Sequence, residues 1–185
     1  MKKIITLATL FLTGTAMAQQ AGTSETGIRY NEVSVGYNSA SVSGSTLQGY
    51  TVMGSALLEQ NFTVDASYTD VSKTGTSISS TALNVGYRMG VASNVDVGVK
   101  LGYIDQGGGS PESSYVVSAG VGAVVAPNVV LSGNVSYTGL TSTEYLYGAG
   151  LAYYLTENTT IRGSVRASSG TVDTTTYALS VGYNF

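Results

Sequence analysis

The stretch "VDVGVKLGY" (residues 95–103) alternates Val95, Val97, Val99, Leu101 and Tyr103 with Asp96, Gly98, Lys100 and Gly102. A period of two is that of a β-strand with two different faces, here one bulky and apolar and the other small, polar or charged. The same pattern recurs along the chain. Val33, Val35 and Tyr37 alternate with Ser34, Gly36 and Asn38, and Val129, Leu131, Val135 and Tyr137 share one face opposite Ser132, Asn134, Ser136 and Thr138.

From residue 28 onward this pattern predicts ten strands, over 28–41, 47–58, 61–71, 77–89, 94–105, 113–126, 128–140, 143–155, 158–169 and 173–185. The turns between them alternate. Glu59-Gln60, the Gly90-to-Ser93 turn, Pro127 and Glu157 are tight, whereas SVSGST, SKTGT, QGGGSPES, GLTST and SGTV read as longer loops. Strands that run up and down therefore collect tight turns at one end and longer loops at the other.

A soluble sandwich also alternates, but its solvent face needs abundant Lys, Glu and Arg. Charged residues make up only 10% of this chain. The apolar face is better explained if it meets lipid and the polar face encloses an interior. The aromatics agree: Tyr37, Tyr50, Tyr68, Tyr103, Tyr115, Tyr137, Tyr145 and Tyr177 lie toward the longer loops, and Phe62, Tyr87, Tyr153, Tyr183 and Phe185 toward the tight turns or the C-terminus. Two belts of amphipathic rings are what a transmembrane barrel places at its two interfaces. A sheet in hydrocarbon leaves no unpaired edge, so it closes on itself. The expected fold is all-β, a closed antiparallel up-and-down transmembrane β-barrel of ten strands. Eight is the alternative if the first strand, or 47–58 with Gly49 and Gly54, stays unpaired.

Lys2 and Lys3 precede an apolar run from Ile4 to Leu12 and the A-x-A sequence Ala16-Met17-Ala18. The run is short for a bilayer span, and the pattern is that of a cleaved export signal. The expected organisation is a signal peptide over 1–18, a flexible periplasmic lead-in over 19–27 (QQAGTSETG), and a barrel over 28–185. With no Cys, stability comes from burial and backbone pairing rather than disulfides. Beyond residue 18 the chain has six bases against eleven acids, a formal charge of −5, which argues against a nucleic-acid partner.

The chain has no His and no Cys, which removes Ser-His and Cys-His nucleophile pairs and the usual metal clusters. No catalytic site, metal or cofactor is expected. "GVG" at 120–122 and "GAG" at 148–150 lie inside predicted strands, where they make room within a small barrel rather than cradle phosphate.

By parity, Glu32, Asp65, Arg88, Asp96, Lys100, Arg162 and Arg166 point into the barrel. Charges in a narrow lumen either pair into a plug that closes it or line a partly wet passage and set its ion preference. At the loop end Asp70, Asp105, Glu112, Glu144 and Asp173 outnumber Lys73. They form a solvated rim, with engagement of cations bridging lipopolysaccharide phosphates as the weaker alternative.

The leader, the alternating strands and the terminal "YALSVGYNF" (177–185) together resemble a small bacterial outer-membrane β-barrel of the OmpA/OmpX-type superfamily. That resemblance covers the chain beyond the leader. It implies residence in the outer membrane, contact with its lipid and lipopolysaccharide, and a monomer with both termini in the periplasm. It also implies that Tyr177, Leu179, Val181, Tyr183 and Phe185 form the signal read by the outer-membrane assembly machinery. The function expected is membrane-structural, without catalysis and with a largely plugged lumen. A narrow pore for small polar solutes or ions is the first alternative, and a surface adhesin or host-interaction barrel the second.

Overall fold

The computed structural model describes residues 25–42, 45–59, 61–73, 75–108, 112–140, 143–170 and 173–185. The expected signal peptide and residues 19–24 of the lead-in lie outside these. Ten strands follow one another: β1 (Glu32–Val42), β2 (Ser45–Leu58), β3 (Phe62–Lys73), β4 (Thr76–Ala92), β5 (Val95–Gly108), β6 (Glu112–Ala126), β7 (Val129–Leu140), β8 (Thr143–Tyr154), β9 (Thr159–Ser169) and β10 (Thr174–Asn184). Each pairs antiparallel with its sequence neighbours, and β1 pairs with β10 over Val42↔Thr174 to Glu32↔Asn184, so the sheet closes into a barrel. β2 is paired on both sides, with β1 and with β3, which settles the count at ten rather than eight.

The strands run further toward the loop end than the turn-rich sequences suggest. The β1–β2 ladder holds to Val42↔Ser45 and the β3–β4 ladder to Lys73↔Thr76, so most of SVSGST and SKTGT is strand. Ladder hydrogen bonds outweigh the weak strand propensity of Ser and Gly when a partner lies alongside, and Thr, being β-branched, favours the strand. The opposite, tight turns carry two residues in the left-handed region. Asn128 takes φ 65° after Pro127 and Glu59 takes φ 53°, the first a conformation that Asn tolerates. Gly49 serves a different need, because a Cβ there would overlap the backbone carbonyl of Asp70 on β3.

The outer face is apolar and exposed, including Val35, Leu83, Val99, Leu101, Leu131, Leu151, Leu179 and Val181. At its two edges the rings touch across strands. Tyr50 meets Tyr68, and Tyr137 meets both Tyr115 and Tyr145, toward the loop end, while Phe62 packs edge-on against Tyr87 at 5.3 Å near the tight turns. These contacts are the cross-strand pairs that stabilise a sheet face, held at the depth where aromatic rings favour a membrane interface. The end bearing the start of β1 and the end of β10 is the periplasmic end in bacterial outer-membrane barrels; it is called the near end below.

At the near end the first strand begins at Glu32, and the described residues before it pack against the barrel. Thr26, Ile28 and Asn31 are buried, because the segment turns inward across the mouth of the barrel. Ile28 packs with Val130, Ala152 and Tyr154, with Tyr30 and Val124 beside them. An aliphatic side chain and a tyrosine at this mouth lose less by entering it than by staying in water.

Candidate functional site in the barrel lumen

The inward face narrows toward the near end by three sets of contacts. Glu32 on β1 and Arg162 on β9 face each other across β10, and both guanidinium Nη groups donate to the carboxylate at 3.0 Å. Gly182 makes this possible: a Cβ on it would lie 2.7 Å from the Glu32 carboxyl carbon. Asp65 on β3 accepts from Lys100 Nζ on β5 at 2.7 Å, an ion pair with Lys100 partly open to solvent.

The third set is a knot around Asp96, which is only 1% exposed. Arg88 Nη1 donates to its Oδ2 at 3.2 Å, Tyr30 hydroxyl donates to Oδ2 at 2.8 Å, and Thr26 hydroxyl donates to Oδ1 at 2.8 Å. The Arg88 guanidinium also lies over the Tyr30 ring, 4.9 Å from its centre. A buried carboxylate needs this many partners to offset its lost hydration. Burial, with the Asp96 carboxylate beside it, pushes the Tyr30 phenol above the ordinary tyrosine range, so it remains a hydrogen-bond donor.

Residues 25–31 are thus tied to the wall at several points. Besides the Asp96 bonds, the Arg29 backbone N–H donates to the Tyr154 hydroxyl at 3.2 Å and its guanidinium lies 4.5 Å over that ring. That guanidinium also donates to the carbonyls of Thr156 and Glu157 in the β8–β9 turn. Leu57 N–H donates to Asn31 Oδ1 at 2.7 Å, and Phe185 N–H to the Asn31 carbonyl at 3.3 Å. A Cβ on Gly122 would come within 3.0 Å of Ile28 Cδ1, so the small residue on β6 is what admits the isoleucine.

Of the seven inward charges expected from parity, six are joined in these three pairs. Arg166 has no ion-pair partner among the described residues. The middle of the lumen around it is otherwise small and polar: Ser132, Asn134, Ser164 and Arg166 are accessible, whereas Val130, Ala152, Tyr154 and Thr160, toward the near end of β7, β8 and β9, are buried. Toward the loop end, hydroxyl and amide ladders reappear, with Asn38 donating to Thr51 at 2.6 Å, Thr51 bonded to Thr69 at 2.7 Å, and Ser118 to Ser136 at 2.8 Å. Thr26, Arg29, Tyr30 and Asn31 make contacts that the sequence does not assign, because they lie before β1 in a segment that crosses the mouth.

On the last strand, Tyr177, Leu179, Val181 and Tyr183 lie exposed on the outer face. Phe185 follows the strand half-buried. Asn184 is held by Thr160 at 2.6 Å and by the Asn158 carbonyl at 2.8 Å.

A ten-stranded antiparallel barrel with an apolar outer band, two aromatic edges and a charged, self-paired interior defines a transmembrane β-barrel of the outer-membrane class. The family model described as "Outer membrane protein beta-barrel domain" matches residues 7–185, and the chain belongs to that family. A search of curated proteins found no match. Among solved structures, the chain is similar to the β domain of the Bordetella autotransporter BrkA (10% identity, 84% of this chain and 99% of that one, TM-score 0.58). It is also similar to an outer membrane channel from Pseudomonas putida F1 (9% identity, 84% and 96%, TM-score 0.56). A third is the KdgM porin solved in complex with disordered oligogalacturonate (16% identity, 83% and 99%, TM-score 0.50). At these identities the likeness is one of fold.

Proposed function

We propose that the protein is a non-enzymatic, membrane-structural barrel, monomeric in the outer membrane, with its lumen stoppered at the periplasmic end. The observation that carries this reading is the Asp96 knot. It joins β4, β5 and the segment 25–31 across the mouth through Arg88, Tyr30 and Thr26, and an ion crossing there would have to break those bonds. The absence of His and Cys from the sequence supports the non-enzymatic part, because it removes the commonest general bases and thiol nucleophiles. Outer-membrane lipid and lipopolysaccharide are then the surroundings of the barrel. Tyr177, Leu179, Val181, Tyr183 and Phe185 serve its recognition by the assembly machinery, so Phe185→Ser is expected to lower the amount of barrel reaching the outer membrane; an unchanged amount would refute that role.

A narrow pore is the second reading, favoured by the accessible Ser132, Asn134 and Ser164 in mid-lumen and by the porin and channel that share the fold. Purified barrel in planar lipid bilayers separates the two. The stoppered reading predicts a flat current trace at moderate voltage, and steady open-channel steps from the unmodified protein would overturn it.

A further inference from the structure

We infer that the middle of the lumen holds an anion-binding site built on Arg166, suited to a small solute bearing a carboxylate or phosphate group. Arg166 lies on the inward face of β9, two residues beyond Ser164 and four beyond Arg162. Its backbone register partners are Gly148 on β8 and Thr176 on β10. Gly148 in turn faces Asn134 on β7, and Asn134 faces Gly120 on β6. Arg166 therefore sits in a row of glycine, hydroxyl and amide residues with no acid among them.

The charge balance sets this arginine apart. Glu32, Asp65 and Asp96 are matched one to one by Arg162, Lys100 and Arg88, which leaves Arg166 as a surplus positive charge. A guanidinium enclosed by a barrel in hydrocarbon is costly unless water or a counterion solvates it, and Arg166 is accessible rather than packed away. Its chemistry then selects the ligand. Five N–H donors in a planar fork and no acceptor suit the paired oxygens of a carboxylate or phosphate. Ser164, Thr176 and Asn134 add neutral donors of the kind that complete oxyanion recognition. A cation would be repelled, and a neutral solute would leave the charge unmatched. The site stands whether or not the lumen conducts, because anion binding needs access to the middle of the barrel and not passage through it.

The test uses full-length barrel folded in lipid nanodiscs, titrated separately with inorganic phosphate and with sodium acetate against sodium chloride at equal ionic strength. Arginine Nε–Hε resonances are followed by NMR, and heat modifiability verifies that each variant is folded. One arginine resonance, missing in Arg166→Gln, is expected to shift saturably with phosphate, acetate or both, and not with chloride. Whichever of the two anions saturates identifies the headgroup. Arg166→Gln is expected to weaken that binding by about ten- to a hundredfold, the loss of one charged hydrogen-bonding group, and Arg166→Lys, which keeps the charge without the fork, by less. No saturable shift with either oxyanion, the same shift with chloride, or binding undiminished in folded Arg166→Gln would each overturn the site.

Discussion

The near end of the lumen and its middle are lined by the same strands, yet they treat charge in opposite ways. At the near end Glu32 and Asp96 are almost fully buried and each is held by an arginine, with Tyr30 and Thr26 folded in as further donors to Asp96. In the middle, Arg166 is accessible and carries no partner among the described residues. On the proposed reading, this difference marks the near end as the stoppered one and the middle as open to solvent. Charges withdrawn from water survive only in pairs, whereas a solitary charge marks a place that water or a solute still reaches.

The comparison can be broken most severely at Arg162. Arg162→Ala leaves the Glu32 carboxylate, 2% exposed at its side chain, without its bidentate counterion, and is expected to cost about 3 to 5 kcal/mol in urea unfolding of the lipid-reconstituted barrel. A loss below about 1 kcal/mol, the scale of exposed ion pairs, would mean that water reaches the pair. Next in size is Asp96→Asn, which weakens the Arg88, Tyr30 and Thr26 contacts together and is expected to cost about 2 kcal/mol. Its sharper consequence is local: residues 25–31 should loosen from the mouth, so that trypsin cleaves after Arg29 several-fold faster than in the parent. Cleavage at the parent rate would show that Ile28 packing alone holds the segment. Smallest is Arg166→Gln, expected to change stability by no more than about 0.5 kcal/mol, as at a solvated position. A loss comparable to that of Arg162→Ala would place a hidden partner on Arg166 and erase the contrast.

Much of this architecture was legible in the sequence, for a physical reason. A strand whose two faces meet different media must alternate, so Val95 to Tyr103 reveals both the strand and the sense of its faces. The parity that puts Asp96 and Lys100 inside follows directly. Partner choice was not legible. Glu32 and Arg162 are 130 residues apart in sequence, and what brings them together is the stagger between β1, β10 and β9 on closure, which no single strand records. The course of residues 25–31 across the mouth was hidden for another reason. Residues 19–27 are small and polar, the composition of a linker, and nothing local announces that Thr26 finds a carboxylate on β5 or that Gly122 leaves space for Ile28. The loop end differs in the opposite direction, with strands longer than the turn-rich sequence suggests, because Ser, Thr and Gly serve turns and barrel strands alike.

Because the chain has no cysteine, a single introduced thiol reports on closure without background. Ser164→Cys places it in the accessible middle of the lumen, to be labelled in liposome-reconstituted barrel by a charged thiosulfonate applied from the periplasmic side. A stoppered near end predicts slow labelling in this background and labelling at least about tenfold faster once Asp96→Asn is added, the scale of a few hydrogen bonds lost. Rapid labelling of Ser164→Cys with Asp96 intact would contradict the stopper.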